Sequence, residues 1–99
     1  MLKKADRPTE LPVTLAIKGQ GVEKKLNVTY FNRNDSEIDA FVKTNKPLAA
    51  FVMYLVKSIE TEYELSEDGL REMEGDWPGI TDALMAGFST ARRMAVVKN

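Results

Sequence analysis

From Pro12 onward Val13, Leu15 and Ile17 alternate with Thr14, Ala16 and Lys18, the two-residue period of a half-buried strand. Gly19-Gln20-Gly21 follows, a turn able to visit positive φ. Beyond it Val22, Lys24, Leu26, Val28 and Tyr30 share one face, against Glu23, Lys25, Asn27, Thr29 and Phe31. The pattern predicts a β-hairpin over 12–31, with Lys24 near its solvated tip. A lone hairpin is marginal in water. Its apolar face therefore calls for a covering helix, or for more strands from another subunit.

The period then changes to that of helices, over 35–97. Asn32-Arg33-Asn34-Asp35-Ser36 ends the strand and offers Asp35 or Ser36 as a cap, and Ile38, Phe41 and Val42 space a short helix to about Lys43. From Pro47 to Ile59 runs the longest apolar stretch. Read as one helix, Leu48, Phe51, Val52, Leu55 and Ile59 form a stripe that Ala49, Met53 and Val56 widen to nearly the whole circumference, so it must be enclosed on most sides. Ser66, Glu67 and Asp68 open a third helix with Leu70 and Met73 inward and Gly75 at its end. Asp76 is the expected cap of the last helix, with Pro78 in its first turn. Its stripe is Ile80, Ala83, Leu84, Gly87, Phe88, Ala91, Met94 and Ala95, with Met85 and Val96 off it, and Arg92, Arg93 and Lys98 complement its C-terminus. Gly87 costs about 1 kcal/mol of helix propensity relative to alanine. That implies close approach of another backbone, for which the central helix is the candidate. Met1 to Leu11 shows no period and reads as a flexible arm, 1–11, ahead of a single α+β domain, 12–99.

Composition narrows the chemistry. The chain has 99 residues, a net charge of −1, and neither cysteine nor histidine, which removes disulfides, thiol nucleophiles, imidazole acid–base chemistry and most zinc sites. Charged residues and Pro8 stand where a signal peptide's apolar segment would be. The apolar run from Leu48 to Val56 falls short of the roughly 20 residues that span a bilayer. Between Glu60 and Asp76 eight carboxylates face Arg71 alone, a solvated acidic face or a dock for a basic partner. Glu67-Asp68-Gly69 lacks calcium-loop spacing, so no metal and no cofactor is expected. With no nucleophile turn and no Gly-rich phosphate loop, no catalytic residues are assigned and no enzyme is expected. Lys3-Lys4, Lys24-Lys25 and Arg92-Arg93 leave a small nucleic-acid-binding regulator as the alternative; scattered surface charge is the plainer account.

Trp77, the only tryptophan, reads either as a core anchor or as a partner contact, since aromatics dominate interface energetics. Met53, Met73, Met85 and Met94 could serve as adaptable surface or as core. Trp77-Pro78-Gly79-Ile80, then Ala83-Leu84, Gly87-Phe88 and Ala91-Arg92, ending at Lys98-Asn99, resembles the C-terminal part of small tail assembly chaperones of long-tailed bacteriophages and prophages. The order of hairpin, short helix, apolar helix, acidic connection and final helix is similar too. The resemblance implies a non-catalytic factor of virion morphogenesis in the cytoplasm of the bacterial host, absent from the mature virion. Its partners would be the tape measure protein, kept soluble, and the tail tube protein, recruited around it. No nucleic acid and no membrane is expected. The candidate partner-binding residues are Trp77, Met85, Phe88, Arg92 and Tyr54, and self-association is left open by the unpaired hairpin edge.

Overall fold

Two ten-residue strands, β1 (Glu10–Gly19) and β2 (Val22–Phe31), pair antiparallel from Glu10 opposite Phe31 to Gly19 opposite Val22. The structure is a computed structural model describing residues 1–97. Gln20 (φ 52°) and Gly21 (φ 77°) make the connection, and positive φ at both central residues matches the right-handed twist of the flanking strands. The ladder begins two residues before Pro12, so Glu10 and Leu11 belong to the sheet rather than to an arm. The chain just before it is also tied down. Arg7 Nη2 donates to the Asn32 carbonyl at 2.5 Å, and Asn32 Nδ2 donates to the Pro8 carbonyl at 2.8 Å.

The hairpin gains its third strand from its own chain. The central apolar run is not one helix: α2 covers Leu48–Leu55 and passes without a loop into β3, Val56–Ile59. β3 lies antiparallel to β2, with Val56 opposite Tyr30, Ser58 opposite Thr29 and Ile59 opposite Val28, and a bulge between. β-Branched Val56 and Ile59 suit a strand, and the unpaired edge of β2 gives their backbone groups partners. A run apolar on every side has no period with which to tell the two conformations apart.

Helices cover one face of the sheet. α1 is Asp35–Val42, α3 Glu67–Asp76 and α4 Ile80–Arg92. The molecule is 18 Å deep in its thinnest direction, room for one sheet and one helical layer. The architecture is thus α+β, an N-terminal hairpin with a third strand and helices mostly in the C-terminal half. The cap of α1 is Asn34, one residue before the expected pair: its side chain accepts from Glu37 N while Glu37 Oε1 accepts from Asn34 N, both ends of a capping box. α3 starts at Ser66 as expected, Oγ accepting from Gly69 N at 3.0 Å. Gly69 is a glycine because a Cβ there would run into the Glu64 carbonyl, a packing reason unrelated to cation binding. α4 stops at Arg92, where Arg93 turns extended. Met94 and Ala95 therefore never join its stripe, for no core face remains beneath them. Lys98 and Asn99 lie outside the described residues.

The core joins Val28, Tyr30, Val52, Leu55, Val56, Leu70, Met73, Ile80, Leu84 and Phe88. Tyr30, 0 % exposed, donates its hydroxyl to the Leu84 carbonyl at 2.6 Å and meets the Phe88 ring edge-on at 5.6 Å. Burial pushes its phenol up to about 12. Gly87 faces this contact: a Cβ there would stand 2.6 Å from Tyr30 Oη and 2.7 Å from Leu15 Cδ2. The close approach is real, but it is made by side chains of the hairpin and not by the central helix.

Gly87→Ala sets that overlap, about 1–3 kcal/mol for forced overpacking, against a propensity gain of roughly 1 kcal/mol, so a net loss is expected. Tyr30→Phe costs about 1 kcal/mol for the hydrogen bond and removes one clashing atom. Gly87→Ala should therefore cost less in the Tyr30→Phe background than alone. Urea midpoints of the four proteins measure this coupling directly.

Candidate functional site

The hairpin is longer than the layer that covers it. β3 pairs only with Val28–Tyr30, so toward the tip the sheet is two-stranded, and Val22 on its inner face is 39 % exposed. Opposite the tip stands the turn between α3 and α4. Together they enclose a cleft of about 610 Å³, whose apolar walls come from Ile17, Val22 and Leu26 on one side and Tyr63, Trp77 and Ile80 on the other. Lys18, Lys24 and Lys25 also line it, against the single carboxylate of Glu62. None of the three lysines forms an ion pair among the described residues.

The turn is held by hydrogen bonds. Glu74 reaches past the end of α3, one oxygen accepting from Gly79 N at 2.8 Å and the other from Thr81 N at 2.9 Å. It caps α4, the task expected of Asp76. Those backbone donors hold its carboxyl below the ordinary glutamate value. Asp76 instead ends α3 and accepts the Tyr63 hydroxyl at 2.7 Å, a bond that favours the neutral phenol and raises its pKa. Gly79 takes φ 98°, open to glycine and strained for other residues. Gln20 in the hairpin turn donates Nε2 to the Asp76 carbonyl at 3.0 Å, joining the two walls.

The five residues singled out by sequence part company here. Trp77 lines the cleft and is 38 % exposed. Phe88 is 5 % exposed, packed on Tyr30, so it offers a partner no surface. Met85 is half-buried against the core rather than standing off it. Arg92 donates to Asp35 Oδ1 at 2.8 Å, joining α4 to α1, and lies 5.8 Å from the Phe88 ring centre. Tyr54 is stacked on Phe41 at 4.4 Å, with the Arg33 guanidinium 3.9 Å from its ring centre. α1 and Arg33 thus cover the part of α2 that looked too apolar to hide. The structure brings Trp77 together with the hairpin tip and leaves the other four apart from it.

Two smaller depressions lie elsewhere. One of about 410 Å³ is on the outer sheet face around Pro12, Asn27 and Ser58, and one of about 280 Å³ is between Leu48 and Arg71. No three carboxylates among the described residues are grouped to hold a metal ion, and no helix among them is long and apolar enough to cross a membrane. Sequence reasoning missed Glu74 and Tyr63, and it read Lys24 only as one of a basic pair at the hairpin tip, although a lysine at an apolar-face position of β2 was the one available signal for the cleft. Compared with protein-family models, curated proteins and solved structures, the chain matches none.

Glu74 gives this junction a pH dependence. Its carboxyl is lowered in the folded state, so its contribution is complete above the ordinary glutamate pKa of about 4.3 and is lost as pH falls through the lowered value. Glu74→Gln should reduce the urea midpoint at pH 7, and the difference from the parent protein should shrink toward pH 3. A constant difference across that range would assign the stabilisation to shape rather than charge.

Proposed function

We propose that this chain is a phage or prophage tail assembly chaperone, a non-catalytic protein that binds and solubilises the tape measure protein and helps recruit tail tube subunits. It would act in the cytoplasm of the bacterial host. The observation that carries the reading is the position of Trp77-Pro78-Gly79. The segment on which the resemblance rests is also one wall of an apolar cleft, with Trp77 exposed at its side. A cleft with large apolar residues and an accessible aromatic is the kind of surface that shields another chain's apolar stripe.

The charge layout favours this over nucleic acid. Lys24 and Lys25 lie at the hairpin tip beside the start of α4, whereas Arg92 lies at its end, roughly 18 Å away at 1.5 Å per residue. Arg92 is moreover paired with Asp35. Cations set apart in this way do not form the continuous surface that a phosphate backbone requires.

Co-expression with the tape measure protein of the same phage tests the proposal. The soluble fraction of that protein should rise several-fold with this chain present. Trp77→Ala should remove most of the gain, as expected for an aromatic contact worth about 2 kcal/mol or more. Equal solubility with and without the chain would overturn the reading.

A further inference from the structure

The strand order β1-β2-β3 leaves one long side of β1 without a neighbour. β1 and β2 close on a two-residue turn, so Gly19 and Val22 exchange hydrogen bonds, and every second residue back along β1 does the same. Ile17, Leu15, Val13 and Leu11 therefore spend their backbone groups on β2. Those of Lys18, Ala16, Thr14, Pro12 and Glu10 point to the open side, where no backbone bond from another element meets them among the described residues. The side chains are exposed in the same sense. Leu11, Val13, Leu15 and Ile17 are only half-buried on the inner face, whereas Val28 and Tyr30, one strand further in, are sealed. The helix above leaves this side open too. One flank of α4 is tied to the other helices through Thr81 with Glu74 and Arg92 with Asp35, and the opposite flank presents Ala83, Ala86 and Thr90, all small.

An open edge can accept many strands, and the residues along it narrow the choice. Lys18 and Pro12 guard it against most: an arbitrary strand would leave the lysine uncompensated and lose a hydrogen bond at the proline. A second copy answers both. Antiparallel pairing about a twofold axis at Thr14 sets Glu10 against Lys18, Leu11 against Ile17, Pro12 against the small Ala16 and Val13 against Leu15, with the apolar pairs all on the inner face. About eight backbone hydrogen bonds form, Pro12 withholding one in each half. Glu10 already pairs with Lys57, and Lys18 lies opposite Glu23 on β2. Across the join the outer face then reads Lys57, Glu10, Lys18, Glu23, with cation and carboxylate alternating at both ends. We propose that the open edge of β1 is a homodimer interface, through which two copies form one six-stranded sheet centred on Thr14. The pairing consumes the long edge of each copy and closes there. It stands whether or not the chain is a chaperone.

Sedimentation equilibrium of the full chain should show a reversible dimer at micromolar concentration. The chain has no cysteine, so Thr14→Cys introduces a single thiol, and oxidised glutathione should join two copies through it. Residues paired on the axis lie about 5.5 Å apart at Cα, within disulfide reach. Ala16→Cys is the control, its two thiols about 14 Å apart along the strands, and it should stay uncoupled. Glu10→Lys and Lys18→Glu each set like charges face to face and should raise the dissociation constant at least tenfold with unchanged circular dichroism. Mixed in equal amounts, these two variants should pair with each other at close to the parent affinity, because lysine then faces glutamate at both ends.

A parent chain that is monomeric at millimolar concentration overturns the proposal. So does cross-linking through Ala16→Cys as readily as through Thr14→Cys, or failure of the two charge variants to pair when mixed. Loss of the dimer on Val96→Asp would give the edge to the exposed segment after α4 and overturn it as well.

Discussion

The fold depends on how closely α4 approaches the hairpin. Tyr30 is the largest fully buried side chain, and its hydroxyl is satisfied by a carbonyl of the helix above it rather than by water. An unpaired phenol there would carry a desolvation penalty, so the hydrogen bond fixes both the height and the rotation of α4 over β2. Gly87 makes the approach possible, since only a residue without Cβ fits opposite Tyr30 and Leu15. With α4 fixed, its first residue Ile80 reaches the hairpin tip. One buried contact near the helix centre thus determines where the cleft's second wall stands.

How much of this was legible in the sequence varies with the length of the pattern. The hairpin could be read almost entirely, because twenty residues of alternation and a Gln-Gly turn agree with each other. The inward side of α3, Leu70 and Met73, was equally plain. The central run could not be divided correctly, for its last four residues pair as a strand with the open edge of β2, a tertiary fact that local propensity does not contain. Gly87 shows an intermediate case: its presence signalled a close contact, and only the fold could say that the neighbours were Tyr30 and Leu15.

At the candidate site, residue types were legible and distances were not. Trp77 stood out as the single tryptophan at a change of direction. Phe88 and Trp77 looked equally suited to a partner, yet one is sealed by Tyr30 while the other remains accessible. Glu74 was one of eight carboxylates in an acidic stretch, and nothing in its own neighbourhood marked it as the cap of a helix that begins six residues later. Capping from inside the preceding helix needs the sharp turn at Pro78-Gly79 to be known first.

The surplus apolar surface also lies elsewhere than helical periodicity placed it. Phe51 and Tyr54 are covered by Phe41 and Arg33, so the hydrophobicity of α2 is spent largely inside the chain. What remains in the cleft is part of the hairpin beyond the reach of the helical layer, facing a wall held by Glu74, by Tyr63 with Asp76, and by Gln20. That rigidity bears on any recognition there, because ordering loops and side chains on association costs about 0.5–1.5 kcal/mol for each immobilised group. A wall already hydrogen-bonded into place avoids much of that cost, whereas the lysines opposite it remain free to adjust. The cleft therefore sets a wall held in place by hydrogen bonds, with Trp77 accessible on it, against the apolar face of a hairpin end that has only two strands.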